Sequence, residues 1–250
     1  MGGEQGRSCS KFFPSAYPFS LGVASGDPLP DSVVLWTRLA PSPLNGGGMP
    51  QVNVPVRWQV ALDENMRKVV LRGVALATRL DRSQARWNIL AQQVLMAELD
   101  HKVGPGEIFW NDSWDGYPLA RNRVLSHIAS RQISNPVVIT GDWHSTFVND
   151  LKLDFKASNS PTVATEFVTP SITSNGDANV YGPYYGPKIP ENPHIKFFDG
   201  DRRGYFRVNL NYERWQTDLR IVTTVSRPDA PVYTFASFVV ENGHPGAKLD

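Results

Sequence analysis

The chain has 250 residues, ordinary apolar content and a formal net charge of +1. That length suffices for one large or two small domains, and a charge so close to zero excludes the electrostatic footprint of a nucleic-acid or anionic-membrane binder. With Cys9 as its single cysteine the chain has no intrachain disulfide, and no apolar stretch reaches the length of a membrane span.

Residues 1–17 read as a loose, polar leader without an apolar core of signal-peptide length. Phe19 to Gly26 is a short apolar run closed by the turn Gly26-Asp27-Pro28. Asp31 to Leu39, with Val33, Val34, Leu35 and Trp36, predicts a strand. Pro41 to Pro50 is a loop. From Val54 to Leu62 apolar Val54, Val56, Trp58, Val60 and Leu62 alternate with other residues, which predicts a strand with one buried face. Val69 to Ala77 predicts the next strand, with a bulge possible at Gly73. Short strands and Gly/Pro turns point to a β-sandwich module over 18–80. Only about four strands are legible there, against about seven in a complete sandwich.

At Leu80 the character changes. Asp81 to Arg86 is charged, Trp87 to Met96 predicts a strand, and Pro118 to Arg131 predicts a helix with Pro118 at its first position and Leu125, Ile128 and Ala129 on one face. Val137 to Thr140 is an uninterrupted β-prone run, the sign of a strand buried on both faces. Strand, helix and strand make a βαβ unit and so imply parallel strands. Thr162 to Thr169 predicts another strand, Asn175 to Pro193 a long Gly/Pro/Tyr-rich loop, and Arg203 to Leu210, Gln216 to Val225 and Pro231 to Val240 an antiparallel meander. The fold class read from this pattern is α/β and β-rich.

The chemistry concentrates in Pro136-Val-Val-Ile-Thr-Gly-Asp-Trp-His-Ser145. Asp142 and His144 follow a buried strand, at the rim where open α/β sheets bind ligands. If the backbone stays extended there, side chains at i and i+2 share one side. A carboxylate and an imidazole are both good metal ligands; they are also common turn residues. Asp115 and Tyr117, in Asp112-Ser-Trp-Asp-Gly-Tyr117, precede the helix. They would line the same rim, or simply cap and pack it. Asn149 and Asp150 read as supporting groups behind the His loop or as a solvated turn. Glu166 sits inside a strand pattern and is expected to be buried and paired. His101, His127, His194 and His244 read as surface histidines. No phosphate loop, nucleophile elbow or His-Glu-x-x-His pattern is present.

Three blocks carry a family likeness. They are Phe19-Ser-Leu-Gly-Val-Ala-Ser-Gly-Asp-Pro28 with Ser32-Val-Val-Leu-Trp-Thr-Arg-Leu-Ala-Pro41; Arg86-Trp-Asn-Ile-Leu-Ala-Gln-Gln93 with Trp114-Asp-Gly-Tyr117 and Asn135 to Ser145; and Ala164 to Ser174 with Arg203-Gly-Tyr205. Together they resemble the alkaline phosphatase D (PhoD-like) group of metal-dependent phosphomonoesterases and phosphodiesterases. The resemblance implies a partial Fn3-like β-sandwich at 18–80 and part of a calcineurin-like metallophosphoesterase domain at 81–250. It implies Asp142 and His144 as metal ligands, iron and calcium as the metals, and phosphate mono- or diesters as substrates. The family is secreted, often by the twin-arginine route, whereas no signal peptide is visible here. The family's Gly-Asp-Tyr and Asp-Asp-His-Glu motifs, which carry most of its metal ligands, are not found, as if its two ends were joined at Leu80 without the middle. Three functions are therefore expected to compete: a phosphoesterase, a non-catalytic remnant, and a binding module built on the 175–193 loop.

Overall fold

In the computed structural model the structure describes residues 16–26, 32, 34–44, 48–49, 52–77, 85–177 and 179–250. Residues 1–15 of the expected leader and the junction at Leu80 lie outside them. The chain divides into two compact units, 1–79 and 80–250.

The first unit contains two antiparallel pairs among the described residues. β1 (Val23–Gly26) pairs with β2 (Val34–Thr37), and β3 (Val54–Ala61) with β4 (Val69–Ala77). The expected bulge at Gly73 is not there: the β3–β4 register shifts at Val60/Ala61 instead. Gly73 stands opposite Trp58, and a Cβ on it would come within 2.5 Å of the indole. The glycine is needed because the ring lies across its backbone. The expected buried face of β3 is also incomplete. Val54, Val56 and Val60 are half-buried while Trp58 is exposed.

The second unit is a three-layer arrangement. Its central sheet has the order β5-β6-β8-β7-β9, formed by β5 (Asn88–Ala91), β6 (Pro136–Thr140), β7 (Thr146–Lys152), β8 (Thr162–Val168) and β9 (Ile195–Asp199). β5, β6 and β8 are parallel, whereas β7 runs antiparallel to both β8 and β9. The helix α1 (Pro118–Ser130) joins β5 to β6, as the βαβ reading expects. One face of the sheet, with Val138, Phe147, Leu151, Ala164 and Val168, packs with Leu125 and Ile128 of α1 and with Leu95, Met96 and Leu99. The other face, with Val137, Val148 and Phe167, packs with Trp215, Phe238 and Val240. Those last residues belong to a four-stranded antiparallel sheet, β10 (Gly204–Leu210), β11 (Arg214–Val222), β12 (Val232–Glu241) and β13 (His244–Leu249), in sequence order.

Local physics explains the boundaries. α1 begins at Pro118, whose missing N–H costs nothing in a first turn, and buries Arg121, Leu125 and Ile128. It ends without glycine. Gln132, at φ 49°, takes the left-handed position, Gln132 N–H donates to Ala129 O, and Ile133 N–H donates to Ile128 O. That paired pattern is the Schellman termination.

β7 was not legible as a strand. Asn149 and Asp150 suggested a turn, yet all residues from Thr146 to Leu151, these two included, are buried. β7 lies between β8 and β9 and is covered on both faces, and its polar side chain Asn149 finds a partner inside. β9 and β13 were equally unanticipated. The 175–193 segment is not a structureless loop either: it holds the short helix α2 (Tyr181–Tyr185) followed by a 3-10 stretch, Gly186–Glu191. Tyr185 is buried against Phe147 and Phe198. Among the described residues no helix is long and apolar enough to cross a membrane.

Candidate functional site

The strand directions define the rim. β5, β6, β8 and β9 all point their C-terminal ends to one edge of the central sheet, and β7 starts there. The segments leaving that edge are the stretch that follows β5 from Gln92, residues 141–145, the turn after β8, and the loop after β9.

Residues 141–145 link β6 to β7, but β8 lies between those strands. Five residues must therefore reverse the chain and cross two strand spacings, roughly 10 Å. The backbone does this with two left-handed kinks, Asp142 at φ 66° and His144 at φ 52°. This overturns the extended geometry expected from the sequence, so an i, i+2 argument no longer places the two side chains together. Trp143 N–H donates to Gly141 O at 2.8 Å, closing a three-residue turn centred on Asp142. Positive φ is the strained hand of that turn, a cost of order 1–3 kcal/mol that tends to accumulate at functional sites. Trp143 packs onto the core and lies beside Tyr185, the rings tilted by 37° with centroids 6.4 Å apart, which anchors the loop. Asp142 is exposed and His144 half-buried. Ser145 is fully buried, and its hydroxyl has no hydrogen-bond partner among the described residues.

His144 is held by two groups the sequence reading passed over. Its Nδ1 lies 3.0 Å from Asn175 Nδ2 and 3.4 Å from the Tyr181 hydroxyl. Asn175 Nδ2 also donates to Tyr181 Oη at 2.7 Å. Asn175 is another left-handed residue, φ 66°, in the turn after β8, and Tyr181 opens α2. The Asn175-Gly176 turn dipeptide was the only available signal; nothing in the spacing links it to His144.

The remaining sequence candidates fall elsewhere. Tyr117 is 67% exposed and precedes α1 without a side-chain cap. Asp115 is turned inward, where it pairs with Arg121 and accepts from Leu99 N–H at 3.1 Å. Burial raises its carboxyl above the usual range despite Arg121. Arg121 also donates to Glu98 at 3.0 Å and lies over the Phe155 ring. Asn149, fully buried, donates to Glu166 Oε2 at 3.0 Å. Glu166 is buried as expected, but it is paired with neutral donors and not with a cation. Besides Asn149 it accepts from Met96 N–H, Ala97 N–H and the Thr140 hydroxyl at 2.8, 2.9 and 2.7 Å. Burial pushes its carboxyl up, opposed by these bonds. The stretch 95–100 is neither helix nor strand, so its buried amides need acceptors. Glu166, Asp115 and Asn192 supply them.

His194 is likewise not on the surface. It is 3% exposed, its Nε2 donates to Glu98 O at 2.6 Å, and its Nδ1 has no partner among the described residues. Burial pushes its pKa down to about 4, reinforced by Lys152, Arg121 and Lys196. A depressed folded-state value favours the neutral ring. Its contribution is thus fully present above the unfolded value near 6.5 and is lost as pH falls toward 4. Urea denaturation should show stability falling over that window by on the order of 3 kcal/mol, with His194→Gln flattening the slope. A slope unchanged in the variant would assign it to other groups.

The comparisons with known proteins bear on this rim. The sequence profile described as PhoD-like phosphatase matches residues 74–219, and that described as PhoD-like phosphatase, N-terminal domain, matches 6–89. The chain belongs to the PhoD-like phosphatase family. It is similar to alkaline phosphatase D of Bacillus subtilis (strain 168), with 39% identity over 173 residues, 69% of this chain and 30% of that protein. The chain thus spans under a third of the length of the curated relative it matches. The fold is similar to a solved structure described as "Structure of PhoD", with a TM-score of 0.64, 23% identity, and coverage of 94% of this chain and 92% of that one. The span matched by the PhoD-like phosphatase profile includes the central sheet and the loop that carries Asp142 and His144.

A metal fits the rim only in part. Asp142 offers oxygen and His144 nitrogen, but no group of three or more His, Cys, Asp or Glu among the described residues is placed to hold an ion. Calcium takes about 6–8 oxygen ligands, and even a four-coordinate ion needs more donors than these two. The described residues therefore do not form a closed site for iron or calcium.

Proposed function

We propose that this chain carries one part of a metal-dependent phosphoesterase site, with Asp142 and His144 as its metal-contacting positions and a phosphate mono- or diester as the substrate of the completed site. Iron and calcium are the expected ions. In this reading 18–80 is a partial Fn3-like sandwich and 81–250 part of the catalytic domain. The supporting observation is the strained turn at Asp142, which lifts an exposed carboxylate onto the sheet rim inside the span matched by the family profile. Asp115 and Asn149 support the fold beneath the rim, and the reading gives them no contact with substrate.

Two donors hold a cation only weakly, so the chain by itself is expected to show no metal-dependent turnover. The test uses the purified chain with calcium and ferric iron, and bis-p-nitrophenyl phosphate at alkaline pH. In parallel, manganese(II) serves as a paramagnetic probe in amide NMR spectra. The expected result is background hydrolysis, with manganese broadening centred on residues 141–145 that disappears in Asp142→Asn/His144→Gln. Broadening that survives in this double variant would remove the metal assignment. Metal-dependent turnover lost in His144→Ala would show a complete site and overturn the partial one.

A further inference from the structure

His144 is gripped at Nδ1, and the partner on that nitrogen decides what the opposite nitrogen can do. Nδ1 faces the Asn175 amide at 3.0 Å and the Tyr181 hydroxyl at 3.4 Å, and the same amide nitrogen reaches Tyr181 Oη at 2.7 Å. The Tyr181 and His144 rings meet edge to face, 6.0 Å apart. An amide has two ends of opposite hydrogen-bonding sense. With nitrogen toward the ring, its two N–H groups donate to Nδ1 and to Tyr181 Oη. Nδ1 is then an acceptor and a neutral ring carries its proton on Nε2. With oxygen toward the ring, it accepts from Nδ1–H and from the Tyr181 O–H, and Nε2 is left with a bare lone pair. Each orientation satisfies all three groups, and each gives Nε2 the opposite chemical role.

We propose that Asn175 is a positioning residue that sets the tautomer of His144. In the metal-free protein, Asn175 and Tyr181 hold the ring as an Nε2–H donor, suited to an oxyanion such as phosphate. Turning the Asn175 amide over leaves Nε2 as a bare acceptor. This deepens the reading of His144 as a site residue. It also adds a function for Asn175 and Tyr181, which follow β8 in sequence and meet His144 at the rim. The left-handed backbone at Asn175 is one that Asn and Asp both tolerate, so the side chain can be exchanged there without reshaping the turn.

The test is long-range ¹H–¹⁵N NMR of the histidine imidazoles in the metal-free chain at pH 9, well above the ordinary imidazole value near 6.5, with His144 assigned by its loss in His144→Gln. The expected native signature is a pyridine-type Nδ1 and a pyrrole-type Nε2. Asn175→Asp replaces the two-ended amide with an acceptor alone, so the pattern should invert to a pyrrole-type Nδ1. Asn175→Gly keeps the backbone and removes the grip, and should leave both tautomers in exchange. An Asn175→Asp spectrum that keeps the native nitrogen pattern overturns the proposal, as does a native ring already protonated at Nδ1. Amide spectra of each variant report whether the fold is retained. Because no metal is added, this experiment can fail while the manganese experiment succeeds, and the reverse.

Discussion

Replacing Glu166 with alanine is expected to cost about 3–5 kcal/mol, since it orphans several buried donors at once and leaves a cavity. The carboxylate is fully buried and takes bonds from Met96 N–H, Ala97 N–H, the Thr140 hydroxyl and Asn149 Nδ2. The two backbone donors belong to an irregular segment that has no ladder to fall back on. A loss of this size is a large share of the roughly 5–15 kcal/mol typical of a native protein. In urea the midpoint should fall by more than about 1 M for ordinary denaturant slopes. Glu166→Gln should cost less, about 2 kcal/mol. Its amide nitrogen can face the Thr140 hydroxyl, which can turn to accept, but then also meets Met96 N–H. An alanine variant within 0.5 kcal/mol of the native chain would mean that water replaces the carboxylate without strain.

Arg121→Met should be comparably severe, about 3–5 kcal/mol at neutral pH. The guanidinium lies between Asp115 and Glu98, and its side chain and that of Asp115 are 4% and 2% exposed. Removing the cation strands two carboxylates in a desolvated place. Burial already raises both above their usual values with Arg121 present, and methionine would let them rise further. A raised folded-state carboxyl contributes most below its unfolded value and loses that contribution as pH increases. The defect should therefore be smaller near pH 4–5 than at pH 8. A second substitution, Asp115→Asn, should return part of the loss, and the double-mutant cycle measures the coupling. Equal destabilisation at both pH values would show that lost packing over Phe155 dominates.

How far the sequence discloses this molecule depends on the distance over which its signals act. α1, β4 and β6 are legible because their cues are local: a proline at a helix start and runs of β-prone residues. β7 is hidden because a strand covered on both faces can carry Asn149 and Asp150 when partners come from elsewhere in the chain. Asn149 bonds Glu166, and Asp150 pairs with Lys196 at 3.4 Å. The helix end at Gln132 lacks the usual glycine. At the rim, Asp142 and His144 are visible as residue types beyond a buried strand. Their backbone is not, because its kinks arise from β8 seating between two strands that precede it in sequence. Asn175 and Tyr181 meet His144 only after that happens. Residue chemistry was readable; the contacts that orient it required the sheet order.

That same sheet order bears on how the chain assembles. β6 and β7 are synthesised first and are joined by only five residues, so they are free to zip together as a hairpin that the finished protein does not contain. β8 emerges later and takes the place between them. Any premature hairpin must open before the last strand can slot in, which makes this a distant pairing event with a kinetic trap in front of it. The residues 141–145 would then form a hinge during assembly, and their final shape would record the late arrival of the strand beneath them.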